Sequence, residues 1–150
     1  MIQDTVKVEM IAAMKARDSI KVETLRGLLA AFTNELVVQK KKPTEPIDDE
    51  SALVAIRREV KKRKEAAMAF RSGGREESAQ KEEAERAILE AYLPPQMSED
   101  EVAAVVVAKK AELGVSEKKD MGRLMGAVMK ELSGKADSDM VKELVAASLS

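Results

Sequence analysis

A chain of 150 residues with 45% apolar side chains is long enough for one domain or two small ones. Its 26 basic and 27 acidic residues leave a net charge of −1, which excludes a generally basic nucleic-acid binder, so any RNA contact requires a local basic patch. The absence of cysteine and histidine excludes disulfides, thiol nucleophiles, Cys-ligated metals and the histidine chemistry of most acid–base enzymes.

Two further absences bear on location and chemistry. Neither an N-terminal signal-like region nor an apolar run of about 18 residues is present, so we expect a cytoplasmic protein with no membrane span. No glycine-rich phosphate loop of the Walker or Rossmann type occurs. We therefore expect no cofactor, no metal and no catalytic centre that belongs to this chain alone.

Four amphipathic helices are predicted in the first part of the chain. On the first of them, Val6, Met10 and Met14 repeat along one face and are expected to point inward. Asp18 offers a cap for the second helix, and Pro43 follows its end. The expected helices span about residues 2–16, 19–42, 49–71 and 76–93. Their short connections predict an antiparallel four-helix bundle over residues 1–93.

A boundary and three shorter helices are predicted in the rest of the chain. Residues 93–96, Leu-Pro-Pro-Gln, cannot continue a helix and form the expected domain boundary. Ser98 and Glu101 have the spacing of a capping box, and Ser116 is a candidate cap for the next helix. The expected helices span about residues 98–114, 116–134 and 137–149. The predicted fold class is all-α, with a three-helix domain over residues 97–150.

A basic run in the third helix is the first candidate site. Residues 57–64 contain six basic side chains, and helical projection places Arg58, Lys61 and Lys62 opposite the apolar stripe. Such side chains could hold phosphates, which dominate nucleic-acid affinity. An ordinary solvated helix face explains the same run, and both interpretations remain open.

Arg63 differs from its neighbours because the projection places it near the apolar stripe of the same helix. A guanidinium there must reach solvent or pair with a carboxylate, because an unpaired buried charge is costly. Glu82 and Glu85 on the fourth helix are the candidate partners. We therefore predict a structural ion pair.

The second candidate site is the sixth helix. Its methionines and leucines share one face, while Gly122 and Gly126 fall on the opposite face. Each interior glycine costs about 1 kcal/mol relative to alanine, so this strip of bare backbone requires an explanation. Close approach of another helix and close approach of a nucleic-acid backbone both explain it. The same projection places Lys119, Arg123 and Lys130 on that face. Together with Lys135 they are the candidate RNA contacts.

Aromatic residues make up only 2% of the chain, so the stacking by which proteins bind single-stranded RNA is scarcely available. An RNA partner would have to be recognised by its shape and its phosphates. Folded tRNA is a better candidate than an unstructured message.

Four motifs carry a family resemblance. They are VKKRKEA at 60–66, AYLPPQ at 91–96, MGRLMGAVM at 121–129 and GKAD at 134–137. At these motifs, and over effectively its full length, the chain resembles the YqeY-like proteins. These proteins share a domain with the GatB subunit of tRNA-dependent amidotransferases. The resemblance implies a helical bundle followed by a small three-helix tail domain.

The resemblance also implies a partner. The GatB tail contacts the body of tRNA, which would place such contacts on Lys119, Arg123, Lys130 and Lys135. The whole enzyme amidates glutamate or aspartate on tRNA with glutamine as nitrogen donor, and it belongs to the carbon–nitrogen ligases. Its glutaminase and activation motifs are missing here, so the kinship does not make this chain an amidotransferase.

Three functions are carried forward. The first is an accessory tRNA-binding protein without its own catalytic centre. The second is a helical protein-interaction module or homo-oligomer with no RNA role. The third is a non-catalytic part of a glutamine-dependent carbon–nitrogen ligase complex. The corresponding partners are tRNA for the first function, another helical protein for the second and amidotransferase subunits for the third. No membrane partner is expected.

Overall fold

The computed structural model describes residues 1–132 and 134–150, and these residues form seven α-helices. The helices are α1 Ile2–Lys15, α2 Ser19–Val38, α3 Asp49–Ser72, α4 Glu76–Glu90, α5 Glu99–Leu113, α6 Met121–Glu131 and α7 Ser138–Ser148. A 3-10 turn, Lys118–Asp120, directly precedes α6. No strand occurs among the described residues, which confirms the all-α prediction.

Side chains at the helix starts explain why several helices begin where they do. In four helices the residue before the first turn accepts a hydrogen bond from a backbone N–H of that turn, which satisfies a donor that the helix leaves free. These caps are Asp18, Asp48, Ser98 and Asp137. Each such cap contributes about 1 kcal/mol.

After several helices one residue adopts a left-handed backbone conformation, and the type of that residue differs between them. Gly114 ends α5 with a φ of 66°, which costs glycine little. After α1 and α2 the corresponding residues are Arg17 and Lys40, with φ of 58° and 60°. A side chain with a Cβ is strained there by about 1–2 kcal/mol.

The described chain divides into two compact units, Met1–Leu93 and Pro94–Ser150. In the first unit, α3 and α4 are joined by a short turn and pack against each other along their length. Ion pairs Arg71–Glu83 and Arg63–Glu85 connect the two helices in opposite chain directions, as in an antiparallel hairpin. Helix α2 packs against both, and α1 packs against α2 and α3.

The core of the first unit is aliphatic with one phenylalanine. The side chain of Phe32 on α2 is fully buried. Around it the cluster comprises Val6, Leu25, Leu28, Leu36, Ile47, Ala52, Ala55, Ile56 and Leu89. The division into domains 1–93 and 97–150 stays a prediction.

Three sequence expectations about the helices were wrong. Met14, expected in the core, has half of its side chain exposed, because Ala13 occupies the inward position at the end of α1. The second and fourth helices end earlier than expected, at Val38 and Glu90. Ser116 does not cap α6, since its carbonyl accepts a hydrogen bond from the Ser150 N–H and α6 begins only at Met121.

In the second unit, α5, α6 and α7 pack against one another. Their shared core comprises Val102, Val106, Val115, Leu124, Val128, Leu132, Ala136, Val141, Val145 and Leu149. The Lys110 ammonium donates to the carbonyl of Ser148 at the end of α7, a group that the helix itself leaves unsatisfied. The Met97 N–H donates to the carbonyl of Lys135 at 2.7 Å, which ties the start of α5 to the loop before α7.

Tyr92, which follows α4, is bonded to α1. Its hydroxyl donates to the carboxylate of Glu9, and burial together with this hydrogen bond raises the pKa of Tyr92 above its ordinary value. At pH values below about 10, the pKa of tyrosine in an unfolded chain, the contact contributes its full stability to the fold. That contribution is lost as the pH rises through the higher pKa of Tyr92 in the folded protein.

We predict that Tyr92 ionises at a higher pH in the folded protein than in the urea-unfolded protein. The chain has one tyrosine and no tryptophan, so near-ultraviolet tyrosinate absorbance reports this residue alone. The stability of a Tyr92→Phe variant should fall less at alkaline pH than that of the wild type. Ionisation at the same pH in both states would contradict the buried contact.

Candidate nucleic-acid interface

Helix α6 has one apolar and one polar face. Its apolar face packs into the core of the second unit through Met121, Leu124, Met125, Val128 and Met129. The opposite face carries Gly122, Arg123, Gly126 and Lys130, all exposed. Gly122, Gly126 and Lys130 share a face because they are spaced four apart, and Arg123 lies three before Gly126 and seven before Lys130. We call these four residues the α6 glycine face.

The two glycines are not needed for packing within their own unit. A Cβ atom built on Gly122 or Gly126 meets no heavy atom within 4 Å. Each glycine costs about 1 kcal/mol of helix stability relative to alanine, and no neighbouring helix of the unit approaches the bare backbone. Close approach of another helix of the same unit therefore does not explain the two glycines, as far as this unit is described.

We predict that Gly122→Ala and Gly126→Ala each stabilise the second unit by about 0.5–1 kcal/mol, because alanine is the better helix former and its methyl group fits without a clash. Urea unfolding followed by far-ultraviolet circular dichroism measures the change. A loss of stability in either variant would reveal a packing role that the open surface does not show.

The candidate cations differ in position and in partners. Arg123 and Lys130 lie on α6 and form no ion pair with any described residue. Lys119 lies in the 3-10 turn before α6, and its Nζ is 3.1 Å from Glu117 Oε2. The sequence projection placed Lys119 on the helix face, which was wrong because α6 begins at Met121. Lys135 is exposed in the loop that leads to α7.

The basic run of α3 is more strongly neutralised. The Arg58 guanidinium donates to Glu35 at 3.0 Å, and the side chain of Glu35 is only 9% exposed, so Arg58 compensates a buried carboxylate. Lys62 lies 3.5 Å from Glu59. Lys61 is exposed and also has an interaction partner. Binding phosphate here would compete with these interactions.

Arg63 lies half-buried between two carboxylates. Its Nη1 is 3.3 Å from Glu59 and its Nε is 3.3 Å from Glu85. The described ion pairs of Arg63 do not include Glu82. Burial raises the pKa of the Glu85 carboxyl, Arg63 opposes that shift, and nearby Glu82 adds to it. Glu59 was missed from sequence, although its four-residue spacing from Arg63 is the usual signal for a helical ion pair.

The YqeY-like protein family model matches residues 3–149. The chain belongs to the YqeY-like family. It is 30% identical over 138 residues to "Altered inheritance of mitochondria protein 41, mitochondrial" of Pyrenophora tritici-repentis, and the match covers 89% of this chain and 72% of that protein. It is 35% identical over 103 residues to the protein of the same name in Eremothecium gossypii, covering 65% and 53% of the two chains.

The family membership confirms the resemblance to YqeY-like proteins, whereas the kinship with the GatB tail stays a prediction. The names of both relatives assign those proteins to mitochondria, whereas the cytoplasmic location of this chain stays a prediction. Within the described residues, no helix combines the length and apolar character needed to cross a bilayer. The same residues contain no group of three or more carboxylates arranged to hold a metal ion.

Proposed function

We propose that this YqeY-like protein binds folded tRNA through the α6 glycine face, with Lys119 and Lys135 as flanking contacts. One observation carries the proposal: two interior glycines leave open backbone beside Arg123 and Lys130, cations that have no ion-pair partner in the described structure. Arg123 and Lys130 are seven residues apart, a rise of about 10 Å along α6, and they bracket Gly126. A phosphate-bearing strand can approach this backbone more closely than it could approach a helix with side chains.

The chemistry of this face favours folded RNA over a single strand. It offers cations and bare backbone but no aromatic ring, so it can contact phosphates and riboses without stacking on bases. The net charge of −1 limits the favourable field to this local patch. The resemblance to the GatB tail supports tRNA as the RNA class.

The proposed role is binding, accessory to amidation of aminoacyl-tRNA. Carbon–nitrogen ligase activity would require other subunits that supply glutaminase and activation chemistry. Mitochondria and cytoplasm both contain tRNA, so the proposal fits the names of the relatives as well as the predicted location.

A Gly126→Leu variant tests the proposal without removing a charge. The new side chain points into open space, and leucine is a better helix former than glycine, so the fold should be as stable as the wild type or more stable. We expect the affinity for total tRNA, measured by fluorescence anisotropy, to fall at least about tenfold, or about 1.4 kcal/mol.

Ala104→Leu is the matched control, because Ala104 is exposed on α5 of the same unit. It adds an equally large side chain away from the α6 glycine face, and its tRNA affinity should match the wild type. Unchanged tRNA binding by Gly126→Leu would show that this face is not the RNA interface.

A further inference from the structure

A groove lies at the turn between α1 and α2 in the first unit. It is open to solvent and has a volume of about 450 Å³. The lining residues are Met14, Arg17, Ser19, Val22, Glu23 and Arg26. Its two apolar residues, Met14 and Val22, come from different helices; Arg17 lies between them in sequence and Arg26 follows. The groove therefore combines apolar and basic side chains.

An exposed apolar strip on α1 leads into this groove. Val8, Ile11 and Met14 follow one another at three-residue spacing, so their side chains lie on successive turns of the helix. Their exposed fractions are 67%, 50% and 50%. Single exposed apolar residues are ordinary, but a strip that continues into a groove is typical of an interaction surface.

Around the strip and groove, cations without an ion-pair partner among the described residues outnumber such anions, of which Asp4 and Asp18 are exposed. Lys7, Lys15, Arg17 and Arg26 are exposed, and none has an ion-pair partner in the part of the chain that the structure describes. Glu23 in the groove is 3.8 Å from Lys81, which offsets its charge. An occupant with apolar and acidic side chains complements this surface. The phosphates of an RNA could bind the cations, but they would make no favourable contact with the apolar strip.

Arg17 also has a strained backbone. Its φ of 58° lies in the left-handed region, where glycine would relieve the strain. The arginine at this position places a guanidinium at the groove, and its strained backbone lowers the stability of the fold. Such strain is often retained at binding sites.

We propose that Val8, Ile11, Met14, Val22, Arg17 and Arg26 form a docking surface for an acidic amphipathic helix of a partner protein. Apolar side chains of that helix, spaced three and four residues apart, would lie along the strip and enter the groove. Its glutamates or aspartates would pair with the rim cations. This site lies in the first unit and serves a protein partner, so it goes beyond tRNA binding by the second unit.

A synthetic helical peptide tests the proposal directly. Its leucines would be spaced three and four residues apart with glutamates on both flanks, and a control peptide would carry lysines instead. In an amide NMR titration of the full chain, the glutamate peptide should shift the signals of Ile11, Arg17 and Arg26, and the lysine peptide should not. Shifts confined to other residues, or equal binding of both peptides, would overturn the proposal.

Two glycine substitutions separate binding from stability. Arg17→Gly should raise the melting temperature by about 2–4 °C. The same substitution should lower the affinity for the glutamate peptide at least fivefold. Lys40→Gly relieves the same strain at the end of α2 and should raise the melting temperature without changing peptide affinity. Peptide affinity unchanged in Arg17→Gly would refute a role for the groove.

The same NMR experiment distinguishes other occupants. Shifts of the α1 signals by total tRNA, but not by the glutamate peptide, would assign the surface to RNA and overturn the proposal. Concentration-dependent dimerisation that Ile11→Asp abolishes, seen by light scattering with no peptide binding, would assign it to a second copy of this chain.

Discussion

Replacing Phe32 with alanine is expected to lower the free energy of unfolding of the first unit by about 3–5 kcal/mol. The phenylalanine side chain is fully buried and contacts the aliphatic cluster shared by α1, α2, α3 and α4. Its removal loses both the transfer free energy of the ring and the contacts around the cavity left behind. Small domains are stable by about 5–15 kcal/mol, so the loss is a large fraction of the total.

Urea unfolding monitored by the fluorescence of Tyr92 measures this change, because Tyr92 belongs to the first unit and is the only tyrosine. Val38→Ala on the same helix is the matched control; its exposed side chain should change stability by less than about 0.5 kcal/mol. A Phe32→Ala effect below about 1 kcal/mol would contradict the described core.

The same variant tests the predicted domain division. If residues 97–150 fold independently, the methyl NMR signals of Leu124 and Val128 should keep their native positions at urea concentrations that unfold the first unit of Phe32→Ala. Simultaneous loss of both sets of signals would show that the two units unfold together.

Reversing the charges of Arg123 and Lys130 together is expected to weaken tRNA binding by about 10- to 100-fold. Each cation that contacts phosphate contributes by releasing counterions from the RNA, and a glutamate in its place adds repulsion. The two side chains are exposed and lack ion-pair partners among the described residues, so their replacement should leave the fold intact.

The double variant Lys42→Glu, Lys142→Glu is the matched control for this prediction. Both lysines are exposed, and the net charge of the protein changes by the same amount. If tRNA binding depended on overall charge, the two double variants would bind equally weakly. The proposed interface requires that the control keep most of its affinity in the anisotropy measurement.

Local signals predicted the helices of this fold well. Asp18, Ser98 and Gly114 are caps or stops whose chemistry acts within one or two turns, and each marks a helix boundary in the structure. The face shared by Gly122, Arg123, Gly126 and Lys130 also followed from the period of a single helix. What this face binds depends on a second molecule, which no intrachain pattern describes.

Tertiary contacts were harder to predict. The ion pair between Arg58 and Glu35 joins α3 to α2 through residues that are 23 apart in sequence, so helical periodicity gives no indication of it. The exposure of Met14 depends on how α1 packs against α2 and α3. Arg17 and Arg26 were missed for the same reason, since only the turn between two helices brings them to one groove.

The most direct test of tRNA binding is the affinity of the wild-type protein for total tRNA across a salt series. We predict that the logarithm of the association constant falls linearly with the logarithm of salt concentration, with a slope corresponding to about three or four phosphate contacts. No binding at low salt, or an affinity that does not change with salt, would contradict the proposed function.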